Sequence, residues 1–156
     1  MIRIECQHEL PYTRAEVFGH GIMADNLPRS ISGLVLRTSD AVLHEKSKLH
    51  VGLEIPRVPR FAMDSRVTEF VHGERVIIEG KSTVGKATIL FALTEHSSEL
   101  TKVQYRLDIG VGRMSMLLAP VIKSFLEGNI DEFTDEYMGN VSSSIVRGRT
   151  NLQNAA

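Results

Sequence analysis

Val103-Gln104-Tyr105-Arg106-Leu107-Asp108-Ile109-Gly110-Val111-Gly112-Arg113-Met114-Ser115-Met116-Leu117-Leu118-Ala119-Pro120-Val121-Ile122 decides the fold, because its apolar period changes midway. Val103, Tyr105, Leu107 and Ile109 alternate with polar residues, the signature of a half-buried strand. Beyond Gly110 and Gly112, Met114, Leu118, Val121, Ile122, Phe125, Leu126, Ile130, Phe133, Tyr137, Val141 and Ile145 recur at three- and four-residue steps. Lys123, Glu127, Asp131 and Asp135, each four apart, line the opposite side. This spacing predicts an amphipathic helix of about thirty residues. Pro120 predicts a kink or a late start, since proline removes a ladder donor and clashes one turn back. Gly128 and Gly139 each weaken the helix by roughly 1 kcal/mol against alanine. From Gly148 onward little remains to bury, so 148–156 is expected to fray beyond a single domain spanning 1–147.

Upstream of that switch the pattern is β for most of the chain. Glu99 closes a turn begun at His96, and Ala87-Thr88-Ile89-Leu90-Phe91-Ala92-Leu93 precedes it. A turn at Thr83-Val84-Gly85-Lys86 joins that strand to Val76-Ile77-Ile78-Glu79, and His72-Gly73-Glu74-Arg75 joins the latter to Arg60–Val71. Pro56 and Pro59 flank Arg57-Val58 and predict a bend or edge. Leu49, Val51, Leu53 and Ile55 alternate, and Gly33-Leu34-Val35-Leu36-Arg37 gives one more strand. Consecutive strands joined by short turns form an antiparallel meander, and one-sided alternation leaves one face covered.

At the N-terminus, Ile2, Ile4, Cys6 and His8 fall at period two. Pro11 ends that strand, and Thr13 with Glu16 forms a capping box ahead of Val17 and Phe18. Asp25-Asn26-Leu27-Pro28 closes a second short helical piece.

Bulk properties narrow the function. The 156 residues carry 18 basic and 19 acidic side chains, a net charge of −1, so no field marks the chain for nucleic acid. No apolar run reaches the roughly 20 residues that span a bilayer. The alternating N-terminus is unlike a secretory signal, which predicts a cytoplasmic protein. Cys6 is the single cysteine, so it forms no internal disulfide and no zinc site alone. It is expected as a small apolar residue on its strand.

The polar residues suggest no reaction. His8, His20, His44, His50, His72 and His96 are scattered without metal-ligand spacing, and neither metal nor cofactor is expected. His72 and His96 sit at turns, where solvation is ordinary. His8 shares the inward parity of Ile2, Ile4 and Cys6 and is expected at the interior or its rim. Glu69 alternates with Val67 and Val71, so parity turns it inward unless a bulge intervenes near Phe70. Gly110-Val111-Gly112 lacks the rest of a phosphate loop. Ser142-Ser143-Ser144 has no glycine elbow and no base partner in the sequence.

The apolar inventory says more. Phe91, Leu93, Tyr105 and Leu107 should share a face with Met63 and Val67, while Met114, Leu118, Ile122 and Phe125 pack over them from the helix. One helix does not fill a strongly curved sheet, so a cavity is expected between them. Tyr105 would bring a hydroxyl to it. With His8 and Glu69, these side chains form the expected ligand-binding set.

Several segments carry a family likeness. Pro11-Tyr12-Thr13-Arg14-Ala15-Glu16-Val17-Phe18, Asp25-Asn26-Leu27-Pro28, Val67-Thr68-Glu69-Phe70, Gly85-Lys86-Ala87 leading to Phe91-Ala92-Leu93-Thr94, Thr101-Lys102-Val103-Gln104-Tyr105 and Leu118-Ala119-Pro120 occur in the order seen in the START-like superfamily. The chain resembles that superfamily, also called helix-grip or SRPBCC, from Ile2 to about Val146. The resemblance implies an α+β fold in which a curved seven-stranded antiparallel sheet grips the long C-terminal helix, with two short helices after the first strand. It implies binding of a hydrophobic small molecule, lipid or polyketide-like, between sheet and helix. The alternatives it carries are a polyketide cyclase or dehydratase, and a protein-interaction module such as a dehydrogenase-associated subunit. The sequence departs from coenzyme-Q-binding relatives at Asp25–Ser30, matches no cyclase catalytic motif and lacks the plant-type glycine-rich loop.

Overall fold

Pro120 sets the start of the long helix. A 3-10 turn spans Arg113–Leu118, and α2 (Ala119–Ala155, 37 residues) begins directly after it. Proline thus occupies the first turn, where its missing N–H has no ladder partner to lose. In this computed structural model the described residues are 1–27, 34–56, 60–82 and 85–155, without the side chains at 34, 53, 61, 114, 115 and 155. The expected helix stop at Pro28, the bend at Arg57–Pro59 and the turn at Thr83-Val84 lie outside the described residues.

The strands are β1 (Ile2–Leu10), β2 (Leu34–Arg37), β3 (Lys48–Leu53), β4 (Phe61–Val71), β5 (Arg75–Ser82), β6 (Gly85–Ser97) and β7 (Leu100–Val111). They form one antiparallel sheet in the order β1-β7-β6-β5-β4-β3-β2. The meander therefore runs from β2 to β7, and β1 adds to the far edge beside the last strand. Helix α1 (Arg14–Gly21) and a 3-10 turn (Ala24–Asn26) follow β1, as expected from the resemblance. The Thr13 hydroxyl accepts from Glu16 N–H at 3.2 Å and caps α1. Gly73, with φ +77°, supplies the left-handed residue of the β4–β5 turn.

One face of the sheet is buried under α2. Ile2, Ile4, Leu10, Val103, Tyr105, Ile109, Ala87, Phe91, Leu93, Val76, Ile78, Met63 and Val67 point inward and are nearly inaccessible. From α2 they meet Ile122, Leu126, Thr134, Tyr137, Met138, Val141 and Ile145. Each fully buried aliphatic or aromatic side chain contributes roughly 1.5–3 kcal/mol of transfer free energy. Two apolar clusters result. One gathers around Phe18, Val103 and Val141, the other around Ile4, Met63, Ile109 and Ile122, and Ile89 touches both.

Segment 148–155, expected to fray, is helical. Arg149 makes a bidentate pair with Glu16, both contacts at 2.7 Å, and lies 5.2 Å from the Tyr12 ring centroid. Asn140 Nδ2 donates to Asn26 O at 3.1 Å, and the Tyr137 hydroxyl donates to Gly21 O. The C-terminal half of α2 is thereby strapped to α1 and its 3-10 turn. The N-terminal half packs on the sheet and on the 3-10 turn that precedes it.

Candidate functional site: two apolar chambers under the long helix

The straps explain where space remains. At the strapped end α1 fills the gap between sheet and helix; toward the middle only side chains do. A cavity of about 70 Å³ lies there, walled by Ile4 and Cys6 of β1, Tyr105, Leu107 and Ile109 of β7, Ala87 and Ile89 of β6, Met63, Val51 and Leu36. Ile130, Phe133 and Thr134 of α2 cover it. A second cavity of about 60 Å³ adjoins it toward α1, among Ile22, Leu43, Leu49, Val76, Ile78, Phe91 and Tyr137. Four side chains, Leu36, Ile89, Tyr105 and Phe133, wall both chambers. Of these shared residues Leu36, Ile89 and Phe133 are half-buried and Tyr105 is buried.

Polar groups gather on one side of the partition. Thr134 Oγ1 lies 3.0 Å from Ile130 O and 3.1 Å from Asp131 O, contacts that take its single proton. His8 Nε2, 3.0 Å from the same hydroxyl, must then be the donor to it. Burial pushes the Cys6 thiol up, against the opposing effect of the neighbouring Thr134 hydroxyl. Cys6 therefore stays protonated at neutral pH, a soft apolar wall rather than a nucleophile. Tyr105 pairs with Cys6 across β7 and β1, and its hydroxyl donates to Met138 Sδ at 3.5 Å. Burial also raises the Tyr105 and Tyr137 phenols, so both remain O–H donors.

The expected binding set divides. Met63 and Leu107 wall the first chamber, Phe91 the second, and Tyr105 both. His8 reaches the chamber wall through Thr134. Val67, Leu93 and Ile122 are core residues that line neither chamber, while Leu118 and Phe125 are partly buried against the second cluster. The Met114 side chain lies outside the described residues. Glu69 does not face inward. The register shifts between Val67 and Glu69, so Glu69 pairs with outward-facing Ile77 and bonds Arg75 Nε at 2.6 Å. The bulge inserts one residue and flips every later parity on β4.

Sequence reasoning did not place Cys6, Phe133 or Thr134 in the site. Their signals were present: Cys6 has inward parity, and Thr134 is a polar residue four places from both Ile130 and Met138 on the apolar stripe. Ser144, without a base partner in the sequence, lies 2.6 Å from His20 Nδ1. That pair joins α1 to α2 and lines neither chamber. Among the described residues no three His, Cys, Asp or Glu side chains are grouped to hold a metal ion. No helix there is long and apolar enough to cross a membrane.

No protein-family model and no curated protein matches this chain by sequence. Solved structures match its fold. TTHA0849 from Thermus thermophilus aligns with a TM-score of 0.71 at 10% identity, over 91% of this chain and 98% of that one. Norcoclaurine synthase from Thalictrum flavum, in complex with dopamine and hydroxybenzaldehyde, gives 0.61 at 10% identity, over 90% and 86%. The di-domain ARO/CYC protein StfQ of the steffimycin biosynthetic pathway gives 0.61 at 9% identity, covering 96% of this chain and 52% of that one. At these identities the likeness is one of fold. The chain has the helix-grip fold of START-like proteins, as its segment order implied.

Proposed function

We propose that this protein binds a hydrophobic small molecule in the space between its sheet and α2. The observation that carries the reading is the pair of apolar chambers that share four lining residues, Leu36, Ile89, Tyr105 and Phe133. Unfilled apolar volume costs about 24 cal/mol per Å³, so the 70 Å³ chamber alone costs about 1.7 kcal/mol. Ala87, on its wall, is a position where a larger side chain would remove that cost. An occupant recovers it instead, and because each chamber is far smaller than the roughly 300–1,000 Å³ of a drug-sized site, the occupant that fits without rearrangement is small. A larger occupant gains room by turning Phe133 outward.

The cyclase or dehydratase alternative needs a proton-transfer group free inside the chambers. His8 spends its Nε2 on Thr134, and Cys6 and Tyr105 hold their protons, which favours binding over catalysis. An interaction module draws support from Met116, Leu117 and Val121, exposed at 64%, 90% and 46% around the start of α2.

Thermal denaturation with graded apolar compounds, benzene through naphthalene, tests the reading. Saturating ligand at about 100 times Kd adds about 2.7 kcal/mol, a Tm rise of about 5–10 °C for a chain of this size. Ala87→Phe should abolish the rise while preserving the fold's circular dichroism. A flat response to every compound, with a bare protein mass in native mass spectrometry of material from its own host, would sink the proposal and leave the exposed Leu117 surface as the better lead.

A further inference from the structure

We infer that the end of the molecule where β7 passes into α2 docks on an anionic lipid bilayer. Met116, Leu117 and Val121 enter the interface, and Lys81, Lys86 and Arg113 face the headgroups. This inference goes beyond the ligand-binding reading and does not depend on it.

The run Met116-Leu117-Leu118-Ala119-Pro120-Val121 carries no charge. The 3-10 turn and the proline start of α2 divide it between two directions. Leu118 and Ala119 pack against the cluster that holds Ala87, Ile109 and Ile122. Met116, Leu117 and Val121 turn outward, and Leu117 at 90% is the most exposed large apolar side chain among the described residues. Three such side chains together in water leave transfer free energy unrealised and point to a surface that covers them.

Cations surround this apex. Gly85 pairs with Val111 and Lys86 with Gly110, so the β5–β6 turn lies beside the end of β7. Lys81 and Lys86 line one cleft with Gly110, Val111 and Gly112, and Arg113 follows at the start of the 3-10 turn. All three cations are exposed, and among the described residues none of them forms an ion pair. The acidic residues at this end of the sheet are engaged: Asp108 with Arg3 and Arg106, Asp64 with His50, Glu54 with Arg60. On α2, Glu127 faces Lys123. Glu79 lies further from the apex, opposite Arg66. The net charge of −1 thus hides a local excess of positive charge.

Shape favours a bilayer over a protein. A stable protein interface covers about 800 Å² of each partner around a packed core, and three side chains at the tip of a turn offer far less. Interfacial docking needs apolar side chains that enter about 5–10 Å and cations that meet anionic headgroups. Ala87 and Ile109 belong both to the first chamber's wall and to the cluster on which Leu118 rests. A docked bilayer therefore faces that chamber across the cluster.

The chain has no tryptophan, so Leu117→Trp places a single reporter at the apex. Vesicles of phosphatidylcholine with about 30% phosphatidylserine should shift its emission to the blue. Leu152→Trp, exposed near the far end of α2 and about 50 Å along the helix, should not respond. Salt at about 1 M should weaken the partition at least tenfold. At about fivefold for each cation lost, Lys81→Glu, Lys86→Glu and Arg113→Glu together should lower vesicle flotation about a hundredfold. Leu117→Ser should lower it about tenfold without any reporter. An equal shift on pure phosphatidylcholine that salt leaves unchanged, or a shift at Leu152→Trp alone, would overturn the inference. So would no shift on anionic vesicles, which leaves the patch to a protein partner. The Tm response to apolar compounds reads the ligand site separately, so either reading can fail alone.

Discussion

Phe133→Ala should join the two chambers into one. The ring is half-buried, projects from α2 and walls both cavities, so its removal deletes the largest part of the partition. Phe→Ala in a closed core costs about 3–5 kcal/mol, and the partial exposure of Phe133 reduces this to about 2 kcal/mol. For a chain of this length that is a Tm loss of about 4–8 °C, with the urea m-value unchanged because the fold is retained. The same change should enlarge the ligand that fits. Each methylene moved out of water into the joined space adds about 0.8 kcal/mol, close to fourfold in affinity. The wild type should therefore favour one-ring over two-ring compounds, and the variant should reverse this by at least tenfold. Competitive displacement of a fluorescent apolar probe measures both. A variant that loses the expected stability but keeps the wild-type size preference would refute the joined-chamber geometry. One that loses no stability would show that the ring does not pack where it lies.

Other consequences are local. The Arg149 guanidinium holds the Glu16 carboxyl down to about 2, below an ordinary value near 4.5. A depressed folded value stabilises above about pH 4.5 and loses that contribution as pH falls to about 2. Both partners are partly exposed, so Glu16→Gln should cost under about 1 kcal/mol at pH 7, and the difference should vanish in urea melts near pH 2. A gap that persists at that pH would contradict the ion pair. At Gly80 an added Cβ would clash with Ser65 Oγ and lie 2.8 Å from Met63 Sδ. Gly80→Ala should cost about 1–3 kcal/mol, and Ser65→Ala alongside it should recover part of the loss in a double-mutant cycle. Additive losses would place the clash elsewhere. Cys6, with its thiol pushed up by burial, should react with iodoacetamide more slowly at pH 8 than a free cysteine, and slower still with bound ligand. Ligand-independent labelling would remove Cys6 from the chamber wall.

Much of the fold was legible because each rule acted on neighbours in sequence. Ile2, Ile4, Cys6 and His8 declared their strand and its buried face, and Thr13 with Glu16 declared the start of α1. Pro120 allowed either a kink or a late start, and the 3-10 turn at Arg113–Leu118 resolved it. Residues 148–155, where fraying was expected, are helical, and their contacts are not periodic ones. A bidentate pair with Glu16, over a hundred positions away, continues a helix that has no core face left to bury.

The site was harder to read for a different physical reason. Parity says that Met63, Val67, Leu93 and Leu107 all point inward, and all four do. It does not say what lies opposite. Val67 and Leu93 meet the filled end, where α1 is strapped to α2, whereas Met63 and Leu107 meet the span where α2 alone covers the sheet. The β4 bulge sharpens that contrast. By turning Glu69 out to Arg75 it places Phe70 opposite inward-facing Val76 and in edge contact with Phe18, ring centroids 5.5 Å apart. An uninterrupted strand would have put a carboxylate there and an aromatic ring in water. The inserted residue thus closes the α1 end with a hydrophobic seal and leaves the remaining free volume around Tyr105, whose buried hydroxyl has only a thioether for an acceptor.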